Sequence, residues 1–159
     1  MRTTLLIFLL LLGLSCTRQN AVSFVMDNGD VLTPAQYKTL DSLYTEHERK
    51  TSNEIVLFTL DDYTGEEKLR DFGLKMAKKL GVGKKNINNG LFILFCAKCH
   101  KIEILTGKGT EKVMTDAIAQ TILDTAMIPF FKEGAYYDGL LNGSKAMITF
   151  LERPENKIK

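Results

Sequence analysis

Two continuous apolar runs, Ile55–Leu60 and Gly90–Phe95, with an amphipathic segment between them, restrict this chain's possible folds more than any other feature. A run of strand length that is apolar at every position belongs to a strand covered on both faces, as in parallel sheets. The intervening segment, from about Glu66, carries Leu69, Phe72, Met76 and Leu80 on one helical face and ends at Gly81 and Gly83. Strand, helix and strand in that order make a crossover unit, which joins parallel strands and is nearly always right-handed. Ile102–Thr106 has a different pattern, with Ile102 and Ile104 alternating against Lys101, Glu103 and Leu105, as on a half-buried strand. Only Cys96–Lys101 separates it from the preceding run, so it must return antiparallel as a hairpin.

The remaining segments supply helices for both faces of that sheet. Asp27-Asn28-Gly29-Asp30 is a turn signal, and Thr33-Pro34-Ala35-Gln36 combines a capping box with proline at the first helical position. Tyr37, Leu40, Tyr44 and His47 form one stripe, with His47 expected to end it at the surface. Asp61-Asp62-Tyr63-Thr64-Gly65 closes the first apolar run. After Gly107 and Gly109 a helix is expected from about Glu111 to Ile128, stopped by Pro129, with Phe130 and Phe131 continuing the core contact. Gly134 breaks the chain. A last helix turns Tyr137, Leu140, Leu141, Ser144, Met147, Ile148 and Leu151 inward. The expected fold is α/β: a three-layer α/β/α sandwich around a small mixed sheet, a parallel pair plus an antiparallel hairpin strand. The domain spans 26–152, and a polar tail follows at 153–159.

The amino terminus has the anatomy of an export signal. Met1-Arg2 is a short basic start, and the apolar run Leu5–Leu14 is too short to span a bilayer of about 30 Å. Ser15-Cys16 follows, resembling a bacterial lipoprotein processing site, although Gly13 stands where Leu is usual. Residues 1–16 are therefore read as a signal peptide, with Cys16 either lipidated or removed, and 17–25 as a tether. The expectation is an exported, lipid-anchored protein of the cell envelope that faces the periplasm. A net charge of +2 argues against a nucleic-acid partner, and the basic cluster Lys75, Lys78, Lys79, Lys84, Lys85 has no interleaved aromatic residues.

Three motifs invite chemistry. Cys96-Ala97-Lys98-Cys99-His100 matches the covalent haem-attachment pattern, but it caps a hairpin rather than opening a helix, so haem is disfavoured. Its cysteines are left as turn residues or as a disulfide pair. Zinc would need two further ligands, and His47 is the only other histidine. Gly107-Lys108-Gly109 lies between a strand and a helix, where backbone amides often cradle anions. It lacks the remaining residues of either phosphate-loop pattern. Asp61-Asp62 sits where open α/β sheets tend to bind ligands, although adjacent carboxylates point apart.

Taken in order, these features resemble a known family. They are Asp27 before a capped helix, Ile55–Leu60, Tyr63-Thr64-Gly65, Gly81-Val82-Gly83-Lys84 and Asn88-Asn89-Gly90. Ile102–Gly107 with Gly109, Thr115-Asp116-Ala117, Pro129-Phe130-Phe131 and Tyr137 with Gly139 complete the set. Over about residues 25–150 the chain resembles a TPM domain, the family of thylakoid-lumen photosystem-repair and acetylcholine-receptor-auxiliary proteins. The resemblance implies an α/β/α sandwich and export or membrane attachment. It also implies one of two activities: binding of Ca2+ or a partner protein without catalysis, or metal-assisted acid phosphatase chemistry. Carried over by position, the cation ligands are Asp27, Asn88, Asn89 and Asp116, beside the Gly107–Gly109 turn. Relatives commonly hold Asp at or next to Asn88, and its absence here removes a charge that a hard cation prefers. With no evident nucleophile or base, the non-catalytic reading is favoured.

Overall fold

A computed structural model describes residues 23–158. Its sheet has four strands in the order β1-β2-β3-β4: β1 (Val25–Asp27), β2 (Glu54–Leu60), β3 (Gly90–Cys96) and β4 (Lys101–Thr106). β1 and β3 run parallel to β2, and β4 returns antiparallel on β3, pairing Ile93 with Ile104 and Cys96 with Lys101. All seven residues of β3 are buried, and Ile55–Thr59 of β2 are buried as well. That burial accounts for the unbroken apolar runs.

Three expectations are corrected. The parallel set has a third member, because β1 starts where a tether was expected. The domain accordingly begins at Ser23: the Phe24 amide donates to Asp41 Oδ1 at 2.8 Å, its carbonyl accepts from Leu57 N at 2.9 Å, and its ring is buried. The helix expected over Glu111–Ile128 is split. A short α3 (Lys108–Glu111) precedes α4 (Asp116–Ile122), a π-helical turn (Leu123–Met127) and α5 (Ile128–Lys132). Met114, wholly buried, occupies the break. Pro129 does not stop the helix; the wide π turn relocates the carbonyl its ring would otherwise strike. Finally, His47 is buried rather than at the surface, with Nδ1 3.0 Å from Glu152 Oε1.

α1 (Pro34–Thr51) opens on the expected capping box, in which Thr33 and Gln36 bond each other's backbone amides. It and α6 (Tyr136–Leu151) share one face of the sheet, where Phe95 meets Phe131 and Tyr136. α2 (Leu69–Leu80) covers the other face, lying over Leu94 and Leu105. β1, β2 and β3 step across the sheet in one direction while α1 and α2 cover opposite faces. The two crossovers therefore have opposite hands, and one departs from the usual right-handed rule.

Tyr44 joins α1 to α6 through the core. The Ser144 hydroxyl donates to Leu140 O at 2.6 Å, so Tyr44 Oη is the donor in its own 2.6 Å bond to Ser144 Oγ. Burial raises the Tyr44 pKa well above the ordinary phenol value, and the Ser144 bond offsets only part of the shift. A raised folded-state pKa gives stability that is full below the unfolded value of about 10 and is lost as pH rises above it. Tyr44→Phe is expected to cost about 0.5–1.5 kcal/mol at neutral pH. It should also flatten the alkaline loss of stability, as read by urea unfolding at neutral pH and at about pH 11.

Candidate functional site

The carboxyl ends of β1, β2 and β3 share one rim, and three acidic side chains stand on it. Asp27 ends β1. Its Oδ1 accepts from Val31 N at 3.1 Å and from the Thr59 hydroxyl, and its Oδ2 accepts from Leu32 N at 2.9 Å. Thr59 Oγ1 in turn accepts from Gly29 N at 3.0 Å, so the loop after β1 is stitched to the end of β2. Gly29 is required there, since a Cβ would lie 2.6 Å from the Leu60 carbonyl carbon. Asp61 and Asp62 follow β2 and are exposed.

The β3–β4 hairpin tip closes over the same rim. Ala97 N donates to Leu60 O at 3.0 Å and Lys98 N to Asp61 O at 2.8 Å. Lys98 Nζ reaches Asp61 Oδ2 at 2.6 Å, and that bond holds the ammonium pKa above its ordinary value. Cys96 and Cys99 are joined as a disulfide, with 5.3 Å between their Cα atoms. Asp62 Oδ1 accepts from Tyr63 N at 2.7 Å and lies 3.7 Å from Cys99 Sγ. The rim thus offers carboxylate oxygens held by backbone amides, one lysine and a sulfur pair.

Asp27, Asn88, Asn89 and Asp116 do not meet at one site. Asn89 is buried at the opposite rim with its amide fully used: Oδ1 accepts from Lys84 N at 2.8 Å, and Nδ2 donates to Ser52 O at 2.6 Å and Asn53 Oδ1 at 3.0 Å. Asn88 beside it is exposed in the left-handed region, φ 48°. Asp116 lines a separate groove with Arg70, Glu103 and Gln120. Gly107 N donates to Gly90 O at 2.8 Å and Gly109 N to Asn88 O at 3.0 Å, so neither amide faces outward toward an anion. These glycines permit a close backbone crossing instead, since a Cβ on Gly109 would sit 1.9 Å from Ile87 O.

The family model for the TPM domain matches residues 25–150, the whole of this sheet and its helices but for the last residue of α6. The chain belongs to the TPM domain family. Solved structures share its fold. This TPM domain is similar to the N-terminal domain of a protein from P. gingivalis at 29% identity and a TM-score of 0.76, covering 84% of this chain and 85% of that one. It shares its fold with the BA42 protein from the psychrophilic bacterium Bizionia argentinensis (24% identity, TM-score 0.66, 80% and 94% covered). The N-terminal domain of cg2496 from Corynebacterium glutamicum also has this fold, at 12% identity and a TM-score of 0.64, with 86% and 84% covered. None of the curated proteins matches the chain.

Thr59 was missed in the sequence because it stands in no motif, and Lys98 because it is a spacer within the cysteine motif; only their places at a strand end and a hairpin tip give them meaning. Gly109→Ala is expected to destabilise the TPM domain by about 3 kcal/mol, since the new methyl meets a backbone oxygen rather than a movable side chain. Exposed Lys108→Ala should stay within about 0.5 kcal/mol in the same thermal-unfolding measurement.

Proposed function

We propose that this TPM domain is a non-catalytic, exported module of the cell envelope, tethered through Cys16, that binds Ca2+ on its acidic rim and presents that rim to a partner protein. The reading rests on Asp27, which ends β1, and on Asp61 and Asp62, which follow the adjacent parallel strand β2 on the same rim. The three carboxylates do not all lie within 4.8 Å of one another, so an ion would have to draw them together. Hard cations favour carboxylate oxygens with backbone carbonyls and water completing the shell. Asp27 is retained from the expected ligand set, while Asn88, Asn89 and Asp116 give way to Asp61 and Asp62. Cys16 and the signal segment lie outside the described residues. No helix among the described residues is long and apolar enough to cross a membrane, so membrane attachment rests on the lipid anchor in this reading.

The test is calorimetric titration of the full chain with Ca2+, its disulfide intact, beside Asp27→Asn and Asp61→Asn. One equivalent should bind, and each substitution should weaken binding about tenfold or more, a loss of at least about 1.4 kcal/mol. At a hundredfold excess over Kd the ion should stabilise the fold by about 2.7 kcal/mol. Absence of both heat and stabilisation would end the cation reading. Turnover of a phosphomonoester that Asp27→Asn abolishes would replace it with the hydrolase.

A further inference from the structure

The hairpin tip and Asp62 form a second cluster on this rim, which shares Asp62 with the hard-cation reading but adds two sulfurs. On sequence alone, Cys96 and Cys99 lacked enough partners for a metal. The fold supplies a third. Cys96 is the last residue of β3, and the turn is closed by His100 at φ 50°, whose amide donates to Ala97 O at 3.1 Å. The bonds from Ala97 and Lys98 to Leu60 and Asp61 then press the tip against the end of β2, where Asp62 begins the next loop. As a result a carboxylate oxygen of Asp62 and the sulfurs of Cys96 and Cys99 all lie within 4.8 Å of one another.

That spacing fits a thiophilic divalent cation. Zinc holds thiolate sulfur at about 2.3 Å and carboxylate oxygen at about 2.0–2.2 Å in a tetrahedron, which places two such ligand atoms about 3.5 Å apart. The 3.7 Å between Asp62 Oδ1 and Cys99 Sγ already approaches this value. A Cys-x-x-Cys turn is also the usual half of a tetrahedral zinc set. Among the described residues Asp62 has no ion-pair partner, because Lys98 is bonded to Asp61. Cys96 is buried, whereas Cys99 is half-buried between exposed Lys98 and His100, so separation of the sulfurs falls to the Cys99 side of the turn.

We propose that the Cys96–Cys99 disulfide is the oxidised, closed form of a Zn2+ site, and that reduction opens it for coordination by Cys96, Cys99 and Asp62. In the first step an external dithiol gives two electrons and two protons to the S–S bond. The dithiol leaves as its own disulfide, and the chain carries two thiols. In the second step Zn2+ displaces those two protons, forms two Zn–S bonds and one Zn–O bond to Asp62, and keeps water in the fourth position. The site is thus closed to metal when oxidised and available when reduced.

The test uses the full chain carrying Cys16→Ser, so that Cys96 and Cys99 are the only thiols. Reduced chain, freed of reductant under anaerobic conditions, is titrated with Co2+ and then Zn2+; oxidised chain is treated alike. One equivalent of Co2+ should give thiolate-to-metal charge-transfer absorption and tetrahedral visible bands in the reduced chain only, and Zn2+ should bleach both. Cys99→Ser should remove the charge-transfer band. Asp62→Asn, at an exposed position the fold tolerates, should keep that band but weaken Zn2+ by more than the tenfold that loss of an outer-shell partner costs. Equal metal binding by oxidised and reduced chain would overturn the proposal, as would unchanged affinity in Asp62→Asn. Asp61→Asn, used for the calcium test, should leave Zn2+ binding unchanged, so each reading can fail without the other.

Discussion

Complete burial of β3 is the constraint on which the rest of this structure depends. Seven consecutive buried residues have no solvent-facing side, so both faces need helices and both edges need strands. β2 and β4 occupy the edges; α2 covers one face, and α1 with the helices after β4 covers the other. Most polar groups within this core are paired; among the described residues Thr110 Oγ1 is buried without a hydrogen-bond partner. Tyr44 and Ser144 satisfy each other between α1 and α6, and Asn89 saturates its amide at the entrance to β3. Removing the Asn89 amide would leave desolvated groups unmatched, which costs more than the bonds contributed, whereas Ser144 without Tyr44 keeps its bond to Leu140 O.

The same sheet assigns different work to its two rims. At the amino ends of β2 and β3, backbone crosses backbone: Gly107 and Gly109 lie against the chain at Ile87–Gly90, and their amides and the Asn89 side chain are spent within the fold. At the carboxyl ends, Asp27 and Thr59 stitch the loop after β1 to β2 and the hairpin tip docks through backbone bonds to Leu60 and Asp61, yet the Asp61, Asp62, Lys98 and His100 side chains remain exposed. A rim consumed by its own hydrogen bonds has little left for a ligand. The family-derived site residues were therefore divided by topology: Asp27 fell on the open rim, Asn88 and Asn89 on the closed one.

Much of this fold was legible because periodicity and burial report the same physics. The apolar runs at Ile55–Leu60 and Gly90–Phe95, the capping box at Thr33 and the stripe on α6 were each read from residue spacing. β1 was not legible, since three residues are too few to show a pattern and its pairing with β2 is a tertiary fact. The break at Met114 and the π turn before Pro129 were hidden for a related reason: propensity favours one helix there, and packing of a buried methionine overrides it. His47 looked like a surface residue because its partner, Glu152, lies over a hundred positions away in sequence. At the site, the hairpin topology alone puts the cysteine tip at the rim of Asp61-Asp62, whereas the Lys98–Asp61 bond and the approach of Asp62 to Cys99 are tertiary facts that no spacing reports.

The polarity of the parallel strands has one more consequence. The chain enters the described fold at Ser23, alongside the beginning of β2, and β2 then runs seven residues, about 20 Å, to the acidic rim. Entry point and rim lie at opposite poles of the sheet. A domain hung from a surface by its amino end would hold Asp61, Asp62 and the cysteine tip outward. In that orientation a soluble molecule could approach from the side facing away from the attachment, and the closed rim would face the surface.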